Sequence, residues 1–365
     1  MFCTESEFLK TIDKCKKGVA WKSSTQMYYI KRLTWAANTL LKIDSGIYSL
    51  KRQSEFTIHE RGKERRIKAS HISDRVVQKA FNEYVLKPAL YPRLIYDNAA
   101  SQPGKGTDFC LNRVKKHLWR YYKKHANRGH VLLIDFSNYF ASIDKEILLK
   151  LLRPYLKPEE LGFMQVLLKN ETEGLGLGSE INQTCAIFYA SFLDHYIKED
   201  LHIKYYCRYM DDLILIHPDK IFLERCLNKI ALYCESIGVK VNPKKCKLVN
   251  LKSDCFIYLK KKIRLTDSGK IVMRPLGKNI KARKRRLKRQ RDLLSKGIIT
   301  MDSVVQSYIS WRGYITKYDI KREKLLEVDL LFASLFGKDK ILLVLSKFTN
   351  SKYYIDRIVR NCEVK

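Results

Sequence analysis

The sequence predicts a protein of mixed helix and strand, α+β or α/β, that is not doubly wound. Two observations predict this class. Short β-prone segments are scattered among longer stretches of helical periodicity, and they do not alternate with the helices as a doubly wound sheet requires. With 45% hydrophobic residues among 365, the chain can bury a substantial core, either in two or three domains or in one enzyme of several lobes.

The first part of the chain is predicted to be helical apart from one hairpin. A helix is expected around Gln26–Ile43, and Phe56–Ile67 has the pattern of a hairpin that turns at Arg61-Gly62-Lys63 into a basic strand. Apolar residues at helical spacing predict a helix at Arg75–Leu90. After a loop that contains Pro and Gly, a basic helix is expected at Asp108–His125.

Two apolar segments farther along the chain carry acidic residues. Val131–Phe136 is a buried-strand pattern with one acid near its end. Lys204–His217 has two β-prone arms around Met210-Asp211-Asp212, which predicts a hairpin with the acids at its turn. Helices are expected between these segments, at about Lys145–Leu152 and Asn182–Lys198.

The C-terminal third is predicted to change from strand to helix. Further strands are expected at Phe256–Leu265, followed by a strongly basic helix at Lys278–Leu294. Roughly the last seventy residues have the pattern of a helical lobe.

The charge balance indicates a polyanionic partner. Seventy-one Lys and Arg stand against thirty-eight Asp and Glu, which leaves a net charge of +33. Each contact between a cation and a phosphate releases counterions, so a surplus of this size favours nucleic acid. An anionic membrane surface is the alternative.

The cysteines and the hydropathy pattern predict an intracellular, cytoplasmic protein. Ten cysteines are scattered without a CxxC pair, so we expect buried thiols and neither a zinc site nor a disulfide framework. No run of about eighteen apolar residues exists, and the N-terminus carries acids where a signal peptide would not. No membrane partner is expected.

Three aspartates carry the predicted chemistry. Asp135 ends an apolar strand, and Asp211 and Asp212 lie at the turn of an apolar hairpin. Carboxylates in such surroundings are costly unless they hold a cation or form compensating hydrogen bonds. Converging at a sheet edge, they would suit two Mg²⁺ ions about 3.5–4 Å apart, with Mn²⁺ able to substitute. The alternative is that each is a solvated turn acid.

Two motifs resemble the palm of reverse transcriptases. Tyr209–Asp212 matches the YxDD hairpin of that family in the form YMDD, and Asp135–Phe140 resembles its first palm motif, an Asp followed five residues later by an aromatic. The resemblance covers about residues 56–320. It implies an α+β right-hand polymerase with fingers, a ferredoxin-like palm sheet and a helical thumb, which extends DNA on an RNA template with two Mg²⁺ ions.

The same resemblance implies roles for residues of the metal and sugar sites. Asp135, Asp211 and Asp212 would be the catalytic metal ligands, with Asp212 the least persistent, and the carbonyl of Phe136 would complete the coordination. Phe140 would lie under the sugar of the incoming nucleotide, where its bulk would reject a 2′-hydroxyl and favour deoxynucleotides. A core aromatic is the alternative for Phe140.

The segment Leu175–Gln183 resembles the second palm motif and indicates a subtype. Its glycine-rich turn, with Gly178 and Gln183 as nucleotide-binding residues, would let the backbone approach the nascent base pair. Leu177 replaces the usual Gln, and Asn182-Gln183 replace Ser-Pro. This form resembles bacterial enzymes of diversity-generating retroelements and of phage defence, and the loop before the palm resembles group II intron enzymes.

Basic residues complete the implied nucleotide site. Lys63 and Arg65 on the hairpin resemble the fingertip cations that grip the triphosphate, for which Arg offers a bidentate, permanently charged fork. Arg75 matches the next fingers motif and would bind nucleic acid. Lys245, or its neighbour Lys244, would protonate the pyrophosphate leaving group. A solvated basic surface is the alternative for each.

The basic helix would bind the phosphate backbone without reading sequence. Nine cations lie between Lys278 and Arg291, too densely for one face, and Lys281, Arg285 and Lys288 represent them as nucleic-acid-binding residues. Trp311 is expected to anchor the packing of the implied thumb.

Four segments follow from these expectations: an N-terminal helical extension (1–55), fingers (56–130), palm (131–265), and a basic thumb with the C-terminal tail (266–365). The expected partners are an RNA template, a DNA or RNA primer, dNTPs and an accessory protein. In a phage-defence enzyme the template would be a dedicated noncoding RNA. Two alternatives stay open: a catalytically silent RNA-binding scaffold and an RNA-dependent RNA polymerase.

Overall fold

The computed structural model describes residues 2–60, 63–171, 173–348, 355–356 and 358–360; within these ranges the side chains of Glu60, Lys63, Arg65 and Arg66 are not described. The chain divides into two compact units, each considered by itself below. The first unit comprises residues 1–125 and 129–248, and the second comprises residues 126–128 and 249–365.

Helices form most of the first unit. They are α1 (Glu5–Lys16), α2 (Ser23–Ile30), α3 (Arg32–Asp44), α4 (Ile72–Phe81), α5 (Lys87–Leu90), α6 (Thr107–His125), α7 (Tyr139–Ser142), α8 (Lys145–Leu152), α9 (Pro158–Leu168), α10 (Glu180–Tyr189), α11 (Ser191–His195) and α12 (Lys220–Ser236).

Strands form a hairpin and a central sheet in this unit. The hairpin pairs β1 (Ser54–Glu60) with β2 (Lys63–Ala69). The sheet has the order β4-β5-β3-β6, with β7 also pairing with β3. Its strands are β3 (His130–Ser137), β4 (Tyr205–Tyr209), β5 (Asp212–His217), β6 (Lys240–Val241) and β7 (Lys247–Asn250).

The central sheet is built on one fully apolar strand. Residues Val131 to Ile134 of β3 are buried, because β5 pairs along them and helix α12 packs on the sheet. Strand β6 pairs farther along β3, at Phe136 and Ser137. The neighbouring strand pairs β3–β5, β3–β6 and β4–β5 are antiparallel. Helices α7–α11 connect β3 to β4, and α12 connects β5 to β6. This arrangement brings the ends of β3, β4 and β5 together.

The second unit has its own sheet and its own core. Three antiparallel strands have the order β10-β9-β8. Its elements are β8 (Phe256–Tyr258), β9 (Lys261–Leu265), β10 (Ile271–Pro275), α13 (Gly277–Ser295), α14 (Met301–Ile315), α15 (Arg322–Phe336) and α16 (Lys338–Leu345). Its helical core gathers around Tyr308 and Phe332, whose rings stack with centroids 4.2 Å apart. Trp311 stacks on Tyr308 at 5.5 Å and packs against this core, as predicted.

The mixed α+β class is confirmed, and most predicted elements are present. Three predicted helices are interrupted. The helix expected at Gln26–Ile43 breaks at Lys31 into α2 and α3. The one expected at Arg75–Leu90 contains a π-helical turn at Asn82–Leu86, since Pro88 has no amide hydrogen for the normal bond. The one expected at Asn182–Lys198 runs as α10, α11 and a π-helical turn at Tyr196–Asp200.

The cysteines agree with the prediction of buried thiols. All described cysteines are free, and most are buried. Over the described ranges, no helix is both long and apolar enough to cross a bilayer.

Candidate functional site

The strand register brings the three aspartates to one end of the central sheet. Asp135 of β3 lies opposite Asp212 of β5, and the β4–β5 hairpin closes with Tyr209 opposite Asp212. Met210 and Asp211 therefore form the turn itself. The amide of Phe136 donates a hydrogen bond of 3.3 Å to the carbonyl oxygen of Asp211, which ties the turn to β3.

The turn holds an uncommon backbone conformation. Met210 has φ 55°, a left-handed value that costs a residue with a side chain about 1 kcal/mol or more. Strained residues persist only where their surroundings hold them, and they cluster at functional sites. The turn that carries Asp211 is held in this way by the hydrogen bond from the Phe136 amide.

The electrostatic surroundings of Asp211 disfavour its charged form. Burial raises the pKa of Asp211, and the nearby Asp135 carboxylate adds to the rise, while Lys245 and Arg208 partly offset it. The negative charge of Asp135 that helps to raise the pKa of Asp211 would equally favour a cation beside Asp211.

Lys245 is the cation that contacts this cluster. Its Nζ donates a hydrogen bond of 2.6 Å to Oδ1 of Asp135, and this contact raises the pKa of the lysine. The segment that carries Lys245 is anchored as well, because the amide of Asn242 donates to the carbonyl of Asp135 at 2.8 Å. Of the two candidate lysines, Lys245 is the one whose side chain contacts an acid of the site. The backbone amide of Lys244 donates a hydrogen bond to the side chain of Asn242 in the same turn.

The donor set fits a hard divalent cation. Carboxylate oxygens are the ligands that Mg²⁺ prefers, and three of them share one sheet edge. Within the described residues, however, no group of three or more His, Cys, Asp or Glu is already arranged around a common point. The structure brings Asp135, Asp211 and Asp212 to one end of the sheet, and Lys245 is hydrogen-bonded to Asp135. That these carboxylates and the Phe136 carbonyl bind a metal stays a prediction.

Phe140 lies directly after the strand of Asp135. Asn138 takes a left-handed conformation (φ 45°) that turns the chain out of β3 into the short helix α7. Phe140 is half-buried, with its ring edge-on to Tyr139 at 6.0 Å, and the hydroxyl of Tyr139 donates to the carbonyl of Ala186 at 2.5 Å. Phe140 is therefore held on a rigid neighbour and keeps part of its ring exposed.

A glycine-rich turn docks on the backbone of Phe140. The amide of Leu175 donates to the carbonyl of Phe140 at 2.8 Å. Gly174 has φ 58°, and a Cβ atom there would lie 2.4 Å from the carbonyl oxygen of Ala141. The close approach thus needs glycine at 174, whereas Gly178 is required by its φ of 115° and leaves more open space around it.

Glu171 organises this turn, a role that no sequence pattern predicted. Its buried carboxylate accepts hydrogen bonds from the amide of Gly176 at 2.7 Å and from Nδ2 of Asn182 at 2.8 Å. Asn182 also donates to the carbonyl of Gly176 at 2.9 Å. The asparagine in the Asn-Gln variant of the motif therefore has a structural role, because it ties the turn to α10.

Gly174→Ala is expected to destabilise the protein by roughly 3 kcal/mol, since the new methyl group meets a carbonyl oxygen and the backbone is left-handed. The matched control is Gly162→Ala in α9, where nothing lies within 4 Å and alanine should stabilise the helix by about 0.5–1 kcal/mol. Urea unfolding of both variants measures this. Equal stabilities would contradict the assigned docking.

Gly178 and Gln183 are brought together at one cavity. A cavity of about 460 Å³ is lined by both, together with Ser101 and Lys87. Gln183 is exposed and accepts a hydrogen bond of 3.1 Å from the hydroxyl of Ser101. Gly178 also lines a second cavity of about 310 Å³, which the exposed Arg75 shares.

For the fingertip cations Lys63 and Arg65, the structure describes the backbone position in the hairpin but not the side chain. In the hairpin register, Arg65 lies opposite Ile58 and Lys63 opposite Glu60. The side chains of Lys63 and Arg65 fall outside the described residues, so their predicted phosphate contacts stay predictions.

The basic helix α13 differs in one respect from the prediction. Lys281, Arg285 and Lys288 are exposed and recur at helical spacing along one stripe. The prediction that all nine cations contact phosphate is wrong for Arg283. This residue is only 4% exposed and packs over the rings of Tyr308 and Trp311. The helix therefore uses one arginine to pack on its own unit.

Comparison with known proteins agrees with the motifs. A family model described as "Reverse transcriptase (RNA-dependent DNA polymerase)" matches residues 51–264. No curated protein matches the sequence. Among solved structures, the chain resembles a telomerase from Candida albicans in complex with a TWJ fragment of telomeric RNA, with a TM-score of 0.50, 13% identity, and coverage of 92% of this chain and 70% of that chain. At that identity the likeness concerns the fold alone.

Proposed function

The chain belongs to the reverse transcriptase (RNA-dependent DNA polymerase) family, and on that premise we propose that it synthesises DNA from dNTPs on an RNA template at a two-Mg²⁺ site formed by Asp135, Asp211 and Asp212. The observation that carries the proposal is the strand register, which sets Asp135 opposite Asp212 with Asp211 in the adjoining turn. Without it, the family match would not distinguish an active enzyme from a silent one.

The architecture supports a right-hand assignment. The β-α-β-β-α-β order of the central sheet is that of a ferredoxin-like palm. In this proposal residues 131–265 are the palm, 56–130 the fingers, 266–365 the basic thumb and tail, and 1–55 a helical extension. The telomerase whose fold is similar is itself a complex with RNA, which agrees with an RNA template as partner.

The protein residues supply position and proton transfer. When bound, the Mg²⁺ ions would activate the 3′-hydroxyl and stabilise the triphosphate. The ammonium of Lys245 lies at the carboxylates, and its hydrogen bond to Asp135 raises its pKa further above neutrality. In this proposal it carries the proton that a general acid would give to pyrophosphate. Lys63 and Arg65 would hold the triphosphate.

The remaining site residues would bind the nucleotide and the nucleic acid. Phe140 would exclude a 2′-hydroxyl, and Gly178 and Gln183 would border the nascent base pair, since both line one cavity. Arg75 and the exposed stripe of α13 would contact phosphates.

The biological setting is the least constrained part of the proposal. The Asn182-Gln183 form of the second motif supports a bacterial retroelement or an anti-phage defence system in the cytoplasm. A retroelement enzyme would work with an accessory protein, and a defence enzyme with a dedicated noncoding RNA and a DNA or RNA primer.

Primer extension tests the function against its two alternatives. The full chain is given a primed RNA template with Mg²⁺ and either dNTPs or rNTPs. We expect extension with dNTPs and at least a hundredfold less with rNTPs. Extension with rNTPs at an equal rate would establish an RNA polymerase, and tight RNA binding without extension by either set would establish a scaffold.

Replacing Lys281, Arg285 and Lys288 with Gln is expected to weaken binding to a primed RNA template at every sequence tested. The slope of log affinity against log salt should fall by about 2–3, because roughly one counterion is released for each phosphate contact. The control replaces Lys220, Arg225 and Lys229 on α12, which packs on the sheet. An unchanged slope for the α13 variant would remove this helix from the interface.

A further inference from the structure

A buried arginine lies directly behind the turn that carries Asp211. Arg208, in β4, has no solvent exposure. Its Nε and Nη2 donate to the two carboxylate oxygens of Asp194, each at 2.7 Å, and Nη2 also donates to the carbonyl of Ile187 at 2.8 Å. Its Nη1 donates to the carbonyl oxygen of Met210 at 2.9 Å. A single planar guanidinium thus joins helix α11, helix α10 and the turn.

The contact with Met210 acts on a residue with a left-handed backbone. Met210 has φ 55°, and its carbonyl belongs to the peptide bond that leads into Asp211. A hydrogen bond to that carbonyl fixes the plane of this peptide bond, and so the direction in which the Asp211 side chain leaves the turn. The amide of Phe136 holds the other side of Asp211 by bonding its carbonyl oxygen.

The arginine is itself firmly held. Asp194 accepts a further hydrogen bond of 2.6 Å from the hydroxyl of Tyr206, and Nδ2 of Asn98 lies 3.3 Å from its other oxygen. The backbone of Arg208 is tied as well, since its amide donates to Asp97 and its carbonyl accepts from the amide of Ala99. A buried ion pair with this many partners is a stiff support.

The second unit contains a similar group that serves for comparison. There the hydroxyl of Tyr308 donates to Asp329 at 2.6 Å, and Arg312 pairs with the same buried carboxylate. This group lies in a helical core and Arg312 packs over the ring of Phe348. The same tyrosine–aspartate–arginine grouping is therefore found beside the Met210 turn and also between packed helices of the second unit.

We propose that Arg208 is a positioning residue that, through the Met210 carbonyl, orients the Asp211 carboxylate for divalent-cation binding. The inference rests on the proposed function for the identity of the bound cation. Asp194 holds the arginine through both of its carboxylate oxygens, and a planar fork is needed because one side chain must reach Asp194, Ile187 and Met210 at once.

Arg208→Lys is the most informative variant. Lysine keeps the charge opposite Asp194, so the field at Asp211 and the buried ion pair are retained, but its ammonium cannot reproduce the fork. Binding of Mn²⁺ is measured by electron paramagnetic resonance on the full chain with a primed RNA template, a dideoxy-terminated primer and dNTP. We expect about tenfold weaker binding, a similar rise in the Mg²⁺ concentration for half-maximal rate, and roughly a hundredfold lower kcat.

Two controls separate positioning from stability. Tyr206→Phe removes one hydrogen bond to Asp194 but leaves the Arg208–Met210 contact, and Tyr308→Phe does the same to the group in the second unit. Both should lower the melting temperature and leave Mn²⁺ affinity unchanged. Should Arg208→Lys not fold, the neutral pair Arg208→Gln with Asp194→Asn replaces it, with the same expected loss of Mn²⁺ affinity.

The outcomes are distinguishable. Mn²⁺ affinity of Arg208→Lys within twofold of the wild type overturns the inference, as does an equal loss in Tyr206→Phe, which would make lower stability the cause. A wild-type chain that synthesises no DNA under any condition refutes the proposed function, and the inference with it. An active wild type with an unaffected Arg208→Lys variant refutes only the positioning role.

Discussion

Asp211→Asn is expected to lower the rate of nucleotide incorporation at least a thousandfold, equivalent to about 4 kcal/mol of transition-state stabilisation. The amide keeps the shape of the side chain and removes the charge that would hold a cation. We expect a large effect because Asp211 is partly buried, and burial and the charge of Asp135 raise its pKa. Single-turnover incorporation of one dNTP on a primed RNA template measures the effect.

Two further substitutions serve as a control and a comparison for this result. Asp200→Asn removes an exposed carboxylate of the same unit and should leave the rate unchanged. Asp212→Asn should lose less than Asp211→Asn, since Asp212 is the least persistent ligand in the proposal. Incorporation by Asp211→Asn within tenfold of the wild-type rate would rule out this carboxylate as an essential metal ligand.

Phe140→Ala is expected to reduce the preference for dNTPs over rNTPs by roughly a hundredfold, about 3 kcal/mol. The ring is partly exposed next to the strand that carries Asp135, and its backbone is fixed by Leu175. Removing the ring should open space for a 2′-hydroxyl without moving the acids. The ratio of kcat/KM for dATP and ATP on one RNA template measures the preference.

Phe222→Ala is the control for this prediction, because it deletes another half-buried ring of the first unit, on the distant helix α12. Both variants are expected to lose some stability, but only Phe140→Ala should incorporate ATP more readily. If the ratio is the same in wild type and Phe140→Ala, the ring is a packing residue and sugar selection lies elsewhere.

The acids could be found from sequence because their context is local. Asp135 follows a run of buried residues in β3, and Asp211 lies between two apolar strands, so each segment alone predicts its own strand. The hairpin register then follows from the two-residue turn. The packing of Trp311 was expected from the resemblance of its segment to the family's thumb, and its ring does pack against the core of the second unit.

The supports of the site could not be found in this way. Asp194 and Arg208 are fourteen residues apart and meet only after α11 has packed on the sheet. Glu171 looks like an ordinary loop acid until the glycine-rich turn folds over it. Among several neighbouring lysines, only the tertiary structure selects Lys245, because the choice depends on a bond to a residue 110 positions away.

The interruptions of the predicted helices could not be read from hydrophobic periodicity either. Hydrophobic periodicity tolerates a single π-helical turn or a break, because the apolar face continues across it. The break at Lys31 and the turn at Asn82–Leu86 therefore leave little trace in the pattern. The burial of Arg283 could not be predicted either, since nothing in a run of cations indicates which one packs against aromatic rings.

The most direct test of the central claim, that Asp135 and Asp211 form the metal centre, is a count of bound Mn²⁺ in the complex with primed RNA, a dideoxy-terminated primer and dNTP. The proposed site predicts two tightly bound ions per wild-type chain, and a loss of at least one in Asp135→Asn and in Asp211→Asn. If both variants bind as many Mn²⁺ ions as the wild-type chain, the claim that these aspartates form the metal centre is contradicted.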